Sequence, residues 1–376
     1  DPRPALRLAA AAALAARVAP LGSAEAAMLP ALRKWLPADP AREALDAAIR
    51  RQLRAGIGVA VPARVHRAAL SLPDGAGAQS LIAAVQEGSR RGIAMVMLKQ
   101  GHGVKDAFVI PCASATEQKA MMARVQGEIA TIDVPPDALL GALAHGLGEG
   151  LALGLLPAPG LVEIAALFGA KALVPSAGDA AAILAAIGAG AALAQIPAKA
   201  RAALIRDGDG LGAGQGISDS WFEDTGDLRA AIARTRSDAG AGAAVWKHLE
   251  TRRGWWARAF AISAAALKAG GADWLPHAAA AEALLAGTAL KRLAVMALIV
   301  DQTLEALDAL DGLGGRQAPA PPSATAGAAL LATAGITEAY LLGYVTALAI
   351  TPKLPAPEAW LGALLAGIEV PGETAF

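Results

Sequence analysis

The 376-residue chain balances 33 basic against 33 acidic side chains, so its net charge is zero although the charge is not evenly spread. A single cysteine, Cys112, excludes an intramolecular disulfide and any multi-cysteine zinc site within one chain. Apolar residues make up 55% but aromatic ones only 4%; the excess is largely alanine, which favours helix and buries little area, so closely spaced helices in two or three units are expected.

The N-terminal segment, 1–62, reads as three helices. Leu6 and the apolar residues after it, with Arg3 and Arg7, resemble a signal-peptide core, but Arg17 interrupts the run and an ordinary Ala-rich helix is expected. Asp39 caps the third helix with Pro40 in its first turn, and Arg50, Arg51 and Arg54 suit its negative end. Those arginines read first as a solvated helix end and second as a binding patch. The front of the chain, 1–113, holds 15 Lys/Arg against 8 Asp/Glu, an asymmetry that would serve a nucleic-acid partner or head-to-tail self-association.

Residues 63–113 form a small antiparallel β element. Turn signals at Pro73-Asp74-Gly75, Gly88, Gly92 and Gly101-His102-Gly103 separate runs at 65–72, 79–86, 93–98 and 107–110, although 80–85 also fits a helix. A central helical domain, 114–312, follows. Ser114 and Glu117 have capping-box spacing, and Pro135-Pro136-Asp137 opens a helix with Leu139, Leu143, Leu147 and Leu151 on one ridge. Further helices are expected at 164–168, 179–193 and 198–205. The uncharged run 180–194 is shorter than the roughly 20 residues needed to cross a bilayer, so no membrane partner is expected, and a reducing cytoplasm fits best.

Alternate glycines at 208–216 break the pattern, and helices resume to about 310. Trp256, Phe260, Ala264 and Leu267 share a face; Leu293, Ala297, Val300, Leu304 and Leu307 form a packing seam. A linker at 313–325 precedes a helical hairpin at 326–376. There Leu341, Tyr344, Val345 and Leu348 line one helix, Pro352 stops it, Pro357 opens the second, and Trp360 clasps the two. The fold class is mainly α within α+β: a multi-helix bundle, a β-meander near the N-terminal third and a C-terminal hairpin.

The pattern Gly343-Tyr344, Thr346-Ala347, Pro352, Pro357 and Trp360-Leu361 resembles the YecA/YgfB-like family of bacterial proteins. That resemblance covers 325–376 and implies a helical accessory or regulatory protein that engages another macromolecule. The eight residues are architectural. Some relatives carry a Cys/His metal-binding tail, and this sequence has no such tail before Phe376.

Several groups are candidates for chemistry, each beside a plainer reading. His145 and Glu149 have the i, i+4 spacing of two metal ligands, but an edge hydrogen bond or ion pair comes first. Asp207 and Asp209 precede a glycine run without the later acidic ligands of a calcium loop, so a connector is expected. Glu223, Asp224 and Asp227 suit either a carboxylate pair or the start of a helix. Arg252, Arg253, Trp255 and Arg258, with Trp256, combine cations and rings as single-strand binding surfaces do, though core packing comes first. Cys112 has no neighbouring histidine and is not read as a nucleophile.

The resulting expectation is a non-catalytic scaffold or adaptor without catalytic residues, metal or cofactor, binding another protein, with self-association open. Two alternatives stand beside it: an RNA- or DNA-binding protein using the basic front, and a hydrolase gathering His145 or His102 with carboxylates.

Overall fold

Three helices lead the chain: α1 (Pro4–Ala16), α2 (Ser23–Trp35) and α3 (Pro40–Arg54). Ala11, Leu29, Ala41, Leu45 and Ala48 give them a small core of their own. Asp39 starts α3 as expected, its Oδ1 accepting from the Arg42 N–H at 3.2 Å, and it also pairs with Arg7 at 3.0 Å. Trp35 ties α2 to the rest of the molecule by entering the main core and donating from Nε1 to the Leu173 carbonyl at 3.3 Å. The structure is a computed structural model that describes residues 3–17, 21–54, 63–168, 173–176, 178–206, 220–235 and 237–314.

The expected meander is present as β1 (Arg64–Leu70), β2 (Ala78–Glu87), β3 (Arg90–Lys99) and β4 (Gly103–Cys112). After α4 (Ala115–Glu128), a short β5 (Ile132–Val134) adds beside β1, giving the antiparallel order β4-β3-β2-β1-β5. Residues 80–85 are strand because β2 is paired on both sides and covered on both faces. Leu81, Ala83 and Val85 enter the main core, while Ile82 and Ala84 pack with Met122 and Val125 of α4. Burial on both faces removes the apolar/polar alternation that marks a half-exposed strand. The Ser114 hydroxyl accepts from the Glu117 N–H at 3.1 Å, and Glu117 reaches back to the Ala113 N–H at 2.6 Å, fixing the start of α4. Gln118 then donates to the Val85 and Gly92 carbonyls, both at 2.8 Å, anchoring α4 to the sheet.

On the opposite face lie α5 (Pro136–Ala152) and α6 (Leu161–Phe168), presenting Leu139, Leu143, Leu147, Leu161 and Ile164 to the core. Gly103, at φ +92°, lets β4 touch α5: a Cβ there would stand 2.6 Å from the Gly146 carbonyl oxygen and 2.7 Å from the Gly150 Cα.

The remaining helices are α7 (Ala180–Ala186), α8 (Ala189–Ala194), α9 (Ala198–Arg206), α10 (Gly226–Ile232), α11 (Asp238–Thr251), α12 (Arg253–Ala269), α13 (Leu275–Leu285) and α14 (Ala294–Gly314). The helix expected at 179–193 is two helices, because Gly188 takes a left-handed φ of +67° between α7 and α8. Alanines at 257, 261, 264, 278, 280 and 281 are fully buried, and their small side chains let α12 and α13 pack closely. In α14 the buried stripe includes Val295, Met296, Ile299, Val300, Thr303 and Leu307, whereas Ala297 and Leu304 are only partly buried. It is rotated from the expected seam, and Leu293 is buried just before the helix begins.

Residues 1–307 form one compact unit and 308–376 a second. Of the second, the described residues reach only the end of α14 at Gly314, two residues into the expected linker. The hairpin at 326–376 lies outside the described residues, as does the glycine run of 207–216.

Candidate functional site

A cleft of about 440 Å³ opens between the sheet and three helices. The α5 wall is the stripe Ala138, Gly141, Ala142, His145, Gly146 and Glu149, which follows helical spacing next to the buried leucine ridge. From α12 come Arg258, Ile262, Ala265, Ala266 and Ala269, and from α7 Ile183 and Ala186. The sheet side adds Leu70, Gln79 and Leu98. Among the wall positions Gly141 stands out: a Cβ there would meet nothing within 4 Å, so its smallness is not required by a close neighbour.

Polar groups gather at the rim. Glu149 Oε1 accepts from the Gly101 N–H at 2.8 Å and from Arg258 Nη1 at 3.0 Å, while Arg258 Nε donates to the Gly178 carbonyl at 3.3 Å. The ion pair anticipated for Glu149 therefore has Arg258 as partner, brought from α12. His145 Nδ1 lies 2.9 Å from the Ser176 carbonyl. A carbonyl only accepts, so this contact places a proton on Nδ1. Lys268 donates to the Ile187 carbonyl at the end of α7 and sits 4.7 Å above the Trp274 ring. Lys99, at the end of β3, is exposed. Gln100 donates from Nε2 to the Trp255 carbonyl at 3.0 Å, and its Oε1 is buried with no hydrogen-bond partner among the described residues.

A second polar cluster lies inside the helical core. Glu223, 2% exposed, accepts from Arg252 Nε at 3.0 Å and Trp256 Nε1 at 2.8 Å on one carboxylate oxygen. His248 Nε2 stands 3.5 Å from the other oxygen. The Glu223 N–H donates to Thr303 Oγ1 at 3.0 Å, so α14 is bound to the same carboxylate-bearing residue. Trp221, Trp256, Phe260 and His277 stack edge to face around this cluster. Burial pushes His277 down to about 4 from its ordinary 6.5, leaving a neutral ring with neither nitrogen hydrogen-bonded among the described residues.

The arginines singled out in the sequence go to different places. Arg252 lies 4.3 Å over the Trp255 ring and pairs with Glu223. Arg253 donates to the Thr288 carbonyl at 2.8 Å and to Glu250 at 2.7 Å. Arg258 faces the cleft. Arg50, Arg51 and Arg54 are exposed at the end of α3, where Arg51 donates to the Arg17 carbonyl at 2.8 Å. Asp224 pairs with Arg229, whose guanidinium holds the carboxyl below its usual range, and Asp227 sits in the first turn of α10. Burial, with Glu117 nearby, pushes the Cys112 thiol up, and Cys112 packs under α4. His102 is half-buried in the turn between β3 and β4. No cluster of three or more metal-ligating side chains occurs among the described residues.

Sequence reasoning reached His145, Glu149 and Arg258 but not Lys99, Lys268 or Gly141. The signal for the cleft was the second stripe of α5, small residues three and four apart beside the leucine ridge. Its meaning depended on α7 and α12 standing across from it.

Comparison with known proteins gives a consistent direction. Residues 1–56 match the family model described as the Y4lR second domain, and residues 181–308 match the Y4lR C-terminal helical domain. The "Uncharacterized protein y4lR" of Sinorhizobium fredii is 31% identical over 288 residues, covering 75% of this chain and 55% of that protein. The chain thus spans about half the length of this relative. No solved structure matches. The YecA/YgfB-like resemblance is overturned by these matches. Its eight residues, Gly343 to Leu361, are spaced small, proline and aromatic residues that unrelated Ala/Leu-rich sequences can share, and they lie outside the described residues. Both family models and the relative point instead to similarity with Y4lR, across the N-terminal helices and the α7–α14 region.

Proposed function

We propose that this protein is a non-catalytic accessory or regulatory protein that works by binding other molecules, as a scaffold or adaptor does, and that the cleft is one of its binding sites. The observation that carries the reading is the cleft itself: about 440 Å³, lined mainly by aliphatic and small side chains, with a few polar groups at its edge. Ligand sites are typically concave, largely apolar and of this size. The lining offers no serine, threonine or cysteine as a nucleophile, and the carboxylate of Glu149 is already shared by Gly101 and Arg258. A partner protein and a cytoplasmic setting belong to the same proposal; among the described residues no helix is long and apolar enough to cross a membrane.

The hydrolase alternative retains one supporting observation, since His145 and Glu149 do line a common cleft. The nucleic-acid alternative, which uses the basic front, keeps the exposed Arg50, Arg51 and Arg54, while Arg252, Arg253 and Arg258 make internal pairs that offset their charge locally. A neutral solvatochromic dye tests the binding reading. One dye per chain should bind the wild type, and Gly141→Trp should abolish that binding while the circular dichroism spectrum stays unchanged. Dye binding that Gly141→Trp leaves intact would remove the cleft from consideration.

A further inference from the structure

Resting on the reading of the cleft as a binding site, we infer that its ligand is a small apolar molecule with a single anionic head, of the medium-chain carboxylate type. Apolar walls at Ile183, Ile262 and Leu98 accept the body. The rim supplies the sign: Arg258 and Lys268 line the cleft beside one carboxylate, Glu149. Arg258 and Glu149 neutralise each other at 3.0 Å. Lys268 donates to the Ile187 carbonyl and lies over the Trp274 ring, and neither neutral group cancels its charge, so the mouth keeps one net positive charge. A carboxylate held there would meet charge-assisted donors while its chain displaced water from the aliphatic walls. The apolar floor and small volume disfavour polyanions such as nucleotides, whose several charges would need more donors than the rim offers.

Isothermal titration of the full chain with hexanoate, octanoate and decanoate, with dye displacement in parallel, tests this. One molecule per chain should bind, each added methylene tightening it about fourfold, the equivalent of about 0.8 kcal/mol per buried CH₂. Decanamide and decyltrimethylammonium should bind about fivefold more weakly than decanoate or worse, as should decanoate to Lys268→Gln. Gly141→Trp should bind none of them. If the dye binds in the cleft but decanoate displaces it no better than the amide or the cation, the ligand class is wrong and the binding reading stands. If neither dye nor carboxylate binds, both fail. Retention on anionic vesicles that Gly141→Trp abolishes, without binding of free decanoate, would also overturn the proposal in favour of a lipid surface.

Discussion

The cleft and the Glu223 cluster use similar residue types in opposite ways. Around Glu223 the charged and aromatic groups are enclosed: Arg252 and Trp256 take one oxygen, and the backbone N–H beside it is bonded to Thr303. At the cleft the walls are aliphatic, the cations outnumber the carboxylate, and a helix position where a Cβ would meet nothing within 4 Å holds glycine. The first arrangement gathers Arg252, Trp256 and Thr303 onto one buried acidic residue, so it holds helices together. The second leaves space and charge unused, which is the basis for proposing it as a binding site. A carboxylate with cations nearby was therefore a poor indicator of function by itself; what separates the two regions is whether its partners close around it.

The comparison breaks most readily at Trp256. Trp256→Ala removes a fully buried ring and one donor to a buried carboxylate, and should destabilise the fold by about 3–5 kcal/mol in denaturant unfolding. A loss below 1 kcal/mol would show that the cluster is not what holds α12 in place. His277 comes next. Its folded pKa of about 4 lies below the unfolded 6.5, so the unfolded state takes up the proton first as pH falls. Stability should be fully present above pH 6.5 and decline towards pH 4, by on the order of 3 kcal/mol in all from this group. His277→Leu should flatten that decline and raise stability at pH 5, measured by urea unfolding across pH.

At the cleft the predicted effect on stability has the other sign. Gly141→Trp replaces an exposed helical glycine and should leave stability unchanged or raise it by up to about 0.5 kcal/mol, while ligand binding disappears. A marked loss of stability would mean that the cleft wall is a packing surface after all. The smallest effect sets the baseline. The Arg67 guanidinium lowers the Asp133 carboxyl below its usual range, but both side chains are about half exposed, so Asp133→Asn should cost less than about 1 kcal/mol and less still in high salt.

Much of the fold was legible because local chemistry set it. The Ser114/Glu117 box, Asp39-Pro40 and the glycine turns of the meander each act within a few residues, and α3, α4 and the four main strands follow from them. What was not legible depended on distant partners. β5 is three residues whose only strand signal is the open edge of β1, and the stripe of α14 turns toward whichever helices surround it. Glu223 gave no sign in sequence that Arg252 and Trp256 would close over it. The cleft was half visible: His145 and Glu149 marked the right face of α5, whereas Lys268 reaches the same mouth from α12. The family resemblance failed for a related reason, since spacing and turn residues specify a shape that unrelated chains share.

The most direct test is a methyl-resolved nuclear magnetic resonance titration of the full chain with decanoate. Resonances of Ile183, Ile187, Ile262 and Leu98, which line the cleft, should shift together and saturate, while those of the buried Ile164 and Leu284 stay in place. Shifts confined to the exposed sheet face around Met97 and Phe108, or the absence of any saturating shift at the cleft, would contradict the account.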